Sequence, residues 1–428
     1  MNRALLFLLG TVPALHFAVP VGAQERPNGL YLTSPLSLSS GYEDNFVSGS
    51  RVLDGSVTEL TSPTLSWIAN THRTMFSVDY MAEFDIFARD ETLNAWNHKA
   101  NLHFRRQIDS RLSFDAADSF ISTMDPTRTL TNSLLLLPRG RYRENALYAR
   151  LAYRLDHRTS LSVRFDNAVT TMTLPGALAG RLDRVGFAGT ATVDHTITRR
   201  HSLSGSYTYL YVHPLQSAVS ATGTGVQNVN LGYIYAVNSG LTVRMAGGIT
   251  RAAQSSFTGV AAVDKKVGGL WLSAGYQRYL ALYGGLAPIG APAGPDAFTA
   301  GLAPNAVYQV ASFRAWGRLT KRFGLEGGVQ RALNGVTPDN RGIKSVIGQL
   351  RLDCKVSDRV TVFTSAEFYG QNISEFSTVP LSRRRYFGGL EIALSRRPKP
   401  AEDSHRHKPL PAGSSLAWQG ETDPWDEK

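Results

Sequence analysis

Between about residue 36 and residue 395, apolar and polar residues alternate with a period of two. In Thr74–Phe87, residues Phe76, Val78, Tyr80, Ala82, Phe84 and Ile86 fall on one face, and Ser77, Asp79, Glu83 and Asp85 on the other. Asn97–Arg105 separates Ala100, Leu102 and Phe104 from Lys99, Asn101, His103 and Arg105. In Ser202–Val212 the set is Leu203, Gly205, Tyr207, Tyr209 and Tyr211. Leu241, Val243, Met245, Gly247 and Ile249 oppose Thr242 and Arg244, and Tyr386, Gly388, Leu390, Ile392 and Leu394 oppose Arg385, Phe387 and Glu391. Successive side chains of a strand point to opposite faces, so this alternation predicts strands. No segment carries a 3.6-residue stripe.

The punctuation recurs as well. A short polar turn precedes an apolar–small–apolar strand start at 70–73, 108–111, 156–160, 198–202, 238–240, 321–324 and 357–359. The interval from Leu241 to Leu325 is about twice the others, which places a further turn at Asp264–Val267. Eight turns joining two strands each, with one strand at either end, predict 18 strands, or 16 if Asp264–Val267 is not a turn. The remaining connections, at 122–143, 171–182, 212–225, 281–304 and 371–383, are longer and irregular. Short turns on one side and long loops on the other are the pattern of a transmembrane, antiparallel, up-and-down β-barrel of the outer membrane. An even strand number closes the wall and removes edges that lipid does not tolerate. A sandwich or propeller fits less well. Trp67, Tyr80, Trp96, Tyr153, Tyr209, Tyr211 and Tyr276 bunch near strand ends, as interfacial girdles do.

The two ends of the chain read differently. Residues 1–23 have the form of a secretory signal peptide: Arg3, then apolar Ala4–Val19, then the small-residue step Val21-Gly22-Ala23. Residues 24–35 follow as a short periplasmic segment, and 36–395 as the barrel. Residues 396–428, rich in proline and charge, lack any means of burying a core and read as a disordered tail. The predicted location is the bacterial outer membrane.

Composition adds exclusions. Charged residues make up 18% of the 428 and mean hydropathy is −0.16, so no helical membrane bundle is expected. The lone Cys354 excludes a disulfide framework and a CxxC motif. The net charge of +11 is spread along the chain rather than gathered in one stripe, which argues against a nucleic-acid partner.

With the apolar face toward lipid, the opposite face lines a lumen. The expected lining is Asp79, Glu83, Asp85, Lys99, Arg105, Asp115, Arg150, Arg154, Arg164, Asp166, Arg244, Arg314, Arg318, Arg351, Glu367, Arg385 and Glu391, with Glu326 and Asp353 on the same face. Such side chains are costly toward lipid and tolerable around water. Acids on early and late strands with arginines between them predict a transverse field across the lumen. Arg150, Arg154 and Arg164 are expected to crowd positive charge onto one stretch of wall. The alternative is a network of ion pairs bracing a barrel whose lumen is filled by inserted loops.

No catalytic motif is evident: GxSxG, HExxH, the P-loop and a strand-to-helix GxGxxG are absent. The adjacent His201-Ser202 is the one tempting pair for an outer-membrane lipid hydrolase, but strand neighbours face opposite ways. His103 reads as a lumen residue and His98 as a surface residue, and His405 and His407 do not make a metal site. Neither cofactor nor metal is expected, and the chain is read as non-enzymatic.

Leu36–Val47 contains Gly41-Tyr42-Glu43-Asp44-Asn45, which resembles the G-Y-[D/E]-D-N opening strand of the type 2 β-barrel porin group found with bacterial exopolysaccharide systems. The resemblance implies an outer-membrane pore with a link to polysaccharide export, and brings no catalytic residues with it. Barrels of that group usually end on an aromatic residue read by the barrel-assembly machinery, whereas here residues 396–428 follow the last strand. The expected function is therefore passive diffusion of small polar solutes, with outer-membrane lipid, the assembly machinery and those solutes as partners. The alternatives are an occluded scaffold barrel and, behind it, a lipid hydrolase.

Overall fold

In the computed structural model, residues 28–48, 51–125, 139–174, 180–181, 183–215, 224–252, 255–281, 306–335, 342–373 and 381–394 are described. The expected signal peptide and tail lie outside them. The first strands are β1 (Gly29–Leu32), β2 (Leu36–Ser48), β3 (Arg51–Thr61), β4 (Leu65–Asn70), β5 (Thr74–Phe87), β6 (Ala95–Gln107) and β7 (Leu112–Thr123). There follow β8 (Arg141–Arg154), β9 (Thr159–Leu174), β10 (Gly180–Arg181), β11 (Arg184–Thr198), β12 (His201–Pro214), β13 (Thr224–Asn238) and β14 (Leu241–Arg251). The wall is completed by β15 (Ser255–Val267), β16 (Leu270–Ala281), β17 (Ala306–Arg318), β18 (Phe323–Gly335), β19 (Gly342–Lys355), β20 (Val360–Ile373) and β21 (Leu381–Ile392).

Short β1, β4 and β10 aside, these form a closed antiparallel barrel of 18 strands, each hydrogen-bonded to its sequence neighbour and β21 returning to β2. At ~4.8 Å spacing and ~40° tilt, such a wall has a radius of roughly 18 Å. The first two wall strands are interrupted. The chain breaks at 33–35 and at 62–64, so β1 pairs with β4 below the β2–β3 ladder. Gly29–Leu32 thus lies on the sheet rather than apart from it.

Five of the eight short turns share a construction that explains their sequence signature. Asp109 Oδ1 accepts the N–H groups of Arg111 (2.6 Å) and Leu112 (2.8 Å), and Asp156 Oδ1 those of Arg158 (2.6 Å) and Thr159 (2.8 Å). Hydroxyls of Thr71, Thr320 and Ser357 do the same for the residues two and three positions on. These are Asx- and ST-turns, in which a short polar side chain replaces the missing backbone partner. The residue at the third position of each, an arginine in most, passes its carbonyl to the adjacent strand: Arg73 to Gln107 N, Arg111 to Arg154 N, Arg158 to Thr196 N and Arg359 to Ala393 N.

One turn sits elsewhere than expected. Strand β15 runs through Asp264–Val267 to its end, and the chain reverses at Gly268-Gly269. Gly268 has φ +61°, a left-handed conformation that glycine adopts without a Cβ clash and lysine does not. Four of the five long-loop connections are also shorter than the sequence suggests, 281–304 being the exception. Strands reach Thr123 and Arg141 around 124–140, and β21 already begins at Leu381.

The outer face carries exposed Trp67, Tyr80, Trp96, Tyr153, Tyr209, Tyr211 and Tyr276 among many aliphatic residues. Phe84 stacks on Trp96 at 4.6 Å, and His98 lies between Tyr80 and Trp96 on that face. A mid-height exception is Asp118, paired in register with Leu102 and Leu147, whose carboxylate accepts from Asn145 Nδ2 at 2.8 Å.

Candidate functional site: the charged inner wall

The barrel closes where the Gly-Tyr-Glu-Asp-Asn segment meets β21. Gly41 is opposite Phe387, Tyr42 opposite Tyr386, Glu43 opposite Arg385 and Asp44 opposite Arg384. A Cβ on Gly41 would lie 1.9 Å from the Tyr386 carbonyl oxygen, so glycine permits the close approach of the seam. Tyr42 faces outward. A bulge sets Asp44 and Asn45 against a single residue of β3, and Asp44 Oδ1 accepts the Arg384 N–H at 2.6 Å. Glu43 points inward and is fully buried.

From Glu43 an ionic ladder spreads along the inner wall. Arg383, 2% exposed, donates through Nε to Glu43 Oε1 (2.6 Å) and holds Asp125 in a two-pronged contact (3.2 and 2.5 Å). Arg385 bridges Glu43 (3.3 Å), Glu367 (2.8 Å) and Glu59 (2.6 Å). On the far side of Asp125, Arg139 lies 3.5 Å from Asp85, and Asn97 Nδ2 donates to Asp85 (3.1 Å) and Glu83 (3.3 Å). Toward the short turns the ladder continues through Arg351 to Asp353 (2.8 Å) and Glu391 (2.6 Å), and through Arg314 to Glu326 (2.7 Å). A cavity of about 280 Å³ opens between these strands, walled by Glu59, Glu326, Arg351, Glu367 and Arg385.

Every residue expected on the inner face shares that face by register. Asp79 pairs with Asn101 and Ser66, Lys99 with Ile121 and Met81, and Arg105 with Asp115, while Arg154 and Arg318 end their strands beside short turns. The expected transverse field is not what the geometry shows. Most of these charges are matched within a strand or with the next one: Asp115 takes Arg105 Nε (2.7 Å) and His103 (3.1 Å), Arg164 takes Asp166 (2.5 Å), and Arg244 takes Asp264 (2.7 Å). Nor do Arg150, Arg154 and Arg164 form a bare positive stretch. Arg164 is paired and lies over the Tyr148 ring, Arg150 donates to Ser162 Oγ at 3.3 Å, and Arg154 is exposed at a turn. In a low-dielectric wall, pairing at 2.5–3 Å outweighs attraction across a wide lumen.

The two ends of the lumen differ. Near the short turns the inner side chains are partly exposed, with Arg351 at 33% and Glu326 at 41% of the side chain. Toward the long loops they are buried, charged and apolar alike: Glu43, Asp85, Asp125, Arg139, Glu144, Arg184 and Arg383, beside Val57, Phe87 and Phe387 and, on the opposite wall, Leu210, Val212 and Val226. Among the described residues, the long-loop half of the lumen is thus the more closely packed of the two. Asp125 and Arg139 reach into it from just beyond β7 and just before β8.

Sequence reading missed these closing residues. Asp125, Arg139 and Arg383 lie in stretches that read as loops, where charge reads as solvated, and Glu43 reads as part of a motif and not as a lumen residue. His201 and Ser202 lie on opposite faces, with His201 Nδ1 2.6 Å from Tyr233 Oη and stacked on Tyr235.

No family model matches the chain, and no curated protein matches it. Among solved structures, it is similar to the siderophore receptor PirA of Pseudomonas aeruginosa (9% identity, TM-score 0.41, covering 86% of this chain and 81% of that one). It is similar also to the FrpB iron transporter of Neisseria meningitidis (10%, 0.44, 84% and 82%). The ferric-catecholate import receptor Fiu of E. coli K12 matches at 10% identity and a TM-score of 0.45, over 86% and 82%.

Proposed function

We propose that this barrel is an outer-membrane transport channel for small polar solutes, with its short turns in the periplasm and its long-loop end closed in the present conformation. The observation that carries this reading is the short-turn half of the inner wall. Charges there are paired, partly exposed and set around open space, an arrangement that serves a polar solute and has no use in a solid core. The outer face supports the membrane setting, since exposed tryptophans, tyrosines and aliphatics gain from lipid while a mid-membrane arginine there costs about 2–4 kcal/mol. The inserting machinery and outer-membrane lipid are the partners this setting requires. A link to exopolysaccharide export rests on Gly41–Asn45 alone, and that segment's place in the structure is the closing seam. The chain is read as non-enzymatic, because His201 and Ser202 diverge.

The buried Glu43–Arg383–Asp125 network favours a second reading, a scaffold barrel that never opens. Planar-bilayer recording of the refolded full chain, with liposome swelling in graded sugars, separates the two. The channel reading predicts discrete openings and size-limited sugar entry. Silence from both the wild type and a variant with its Asp125 contact weakened would leave the scaffold.

A further inference from the structure

The outside of the barrel is not uniform along its axis. On the outward strand positions near the long loops, Arg141, Arg143, Arg251, Arg331, Lys344 and Arg384 are all exposed. Among the described side chains of that face and end, the acid is Asp44, already engaged by Arg384. Near the short turns the outward strand positions carry Arg106 and Lys265. Basic residues thus collect where the outer face meets the leaflet on the long-loop side.

Two of them frame a built feature. Arg331, opposite Val346, and Lys344, opposite Leu333 and Asn372, are diagonal neighbours on β18 and β19, a separation of about 7–8 Å. They border a groove of about 550 Å³ in the outer wall, lined also by Val346, Phe368, Gly370 and Asn372. Val346 and Phe368 are exposed. Phe368 leans over Gly370, where a Cβ would be 3.2 Å from its ring. One step nearer the short turns, Gly348 pairs with Val329 and Phe368, and a Cβ there would meet nothing within 4 Å. Two cations and a side-chain amide stand at the rim, and beside them, toward the short turns, lie the exposed apolar side chains of Val346 and Phe368 and the open surface over Gly348.

That combination fits one kind of occupant. A free anion would use the rim and ignore the apolar surface, and an uncharged lipid would do the reverse. We propose that Arg331, Lys344 and Asn372 hold the phosphate of a phosphorylated lipid in the leaflet around the long loops, with an acyl chain lying along Val346, Gly348 and Phe368. A guanidinium forks onto two phosphate oxygens, and the lysine adds a point charge beside it. The inference rests on the membrane orientation proposed above and is independent of whether the lumen conducts.

The test uses the refolded full chain in detergent, with native mass spectrometry reading lipid retained on the barrel. The probes are bis-phosphorylated lipid A, the same lipid dephosphorylated, and inorganic phosphate. Expected are retention of the phosphorylated form, about 30-fold weaker binding by R331Q/K344Q, and no change in R106Q/K265Q. Gly348→Phe, which covers the open surface and leaves both cations, should weaken lipid binding about tenfold. Equal binding of the dephosphorylated lipid, displacement by inorganic phosphate at matched concentration, or wild-type retention by R331Q/K344Q would each overturn the proposal. Both substituted side chains are exposed, so circular dichroism should report an intact barrel. A chain that fails to enter bilayers at all defeats the membrane reading and this site together. Insertion without phosphate dependence defeats the site alone.

Discussion

Asp125→Asn tests whether the closed end of the lumen is a latch. Asp125 lies beyond the last residue of β7, so the substitution removes no wall hydrogen bond. Its carboxylate is fully buried and accepts two donors from Arg383, at 3.2 and 2.5 Å, with Arg139 3.9 Å away on the other side. Asparagine keeps the volume and one acceptor but leaves the guanidinium facing a neutral partner. Losing the charge of one such contact costs about 2–3 kcal/mol. Glu43 still neutralises Arg383 from the wall, which keeps the estimate at the lower end of what a fully orphaned buried charge would cost. The loss falls on the conformation that holds Asp125 inside and spares the 18-stranded ladder, so the closed-to-open ratio should drop by about 30- to 150-fold. Single-channel recording reads this as open probability, and unfolding midpoints should move little. A well-folded variant that conducts no more than the wild type would refute the latch and with it the idea that the closed end opens.

Other outcomes are expected. Gly41→Val drives a side chain into the Tyr386 carbonyl and should block closure of β2 on β21, read as loss of the compact, heat-modifiable band on semi-native gels. Arg164→Gln uncovers Asp166 and should shift the reversal potential in a KCl gradient toward cations, most at low salt. The double change Arg164→Gln with Asp166→Asn should restore it, and an unchanged reversal potential in the well-folded single variant would mean the pair lies off the conducting path. In the turns, backbone N–H groups hold the carboxyls of Asp109 and Asp156 below the ordinary value of 3.8. A depressed folded value means that this support is present above pH 3.8 and is lost as pH falls through the lower folded value. Carboxyl-carbon NMR titration should find both low, and ordinary values would show that the turns are not closed this way.

Legibility followed local physics. Period-two alternation depends on each strand alone, so the strand number and the shared face of the outward aromatics could be read from sequence, as could the alternation that sets the residues from Asp79 to Glu391 on the other face. The turns were legible for a similar reason. Asp156-His-Arg-Thr must supply a side-chain acceptor and a strand start within four residues, and the same demand recurs at Asp109, Thr320 and Ser357. The turn at Gly268-Gly269 is displaced in the sequence reading because Lys265-Lys266 is more turn-like in composition than the glycines that follow. Lysine at an exposed strand end is indifferent to conformation, whereas φ +61° is selective.

What could not be read was pairing between distant segments. Arg383 and Asp125 are separated by 258 positions, and Arg383 and Glu43 by 340. Nothing in a charge's own neighbourhood says whether it meets water or a partner. The distinction decides function here, because the same composition of acids and arginines describes both a hydrated lining and a filled end. The structure puts both in one barrel, partly exposed pairs toward the short turns and buried ones toward the long loops. A buried ion pair contributes little net stability compared with apolar packing, while breaking one side of it is costly. An apolar plug would have closed this end at least as firmly. The use of Arg383, Glu43 and Asp125 is better explained by a contact whose partners can be exchanged for water, since each is charged and soluble once exposed. On that argument the ionic character of the closed end favours a channel that opens over a scaffold that does not.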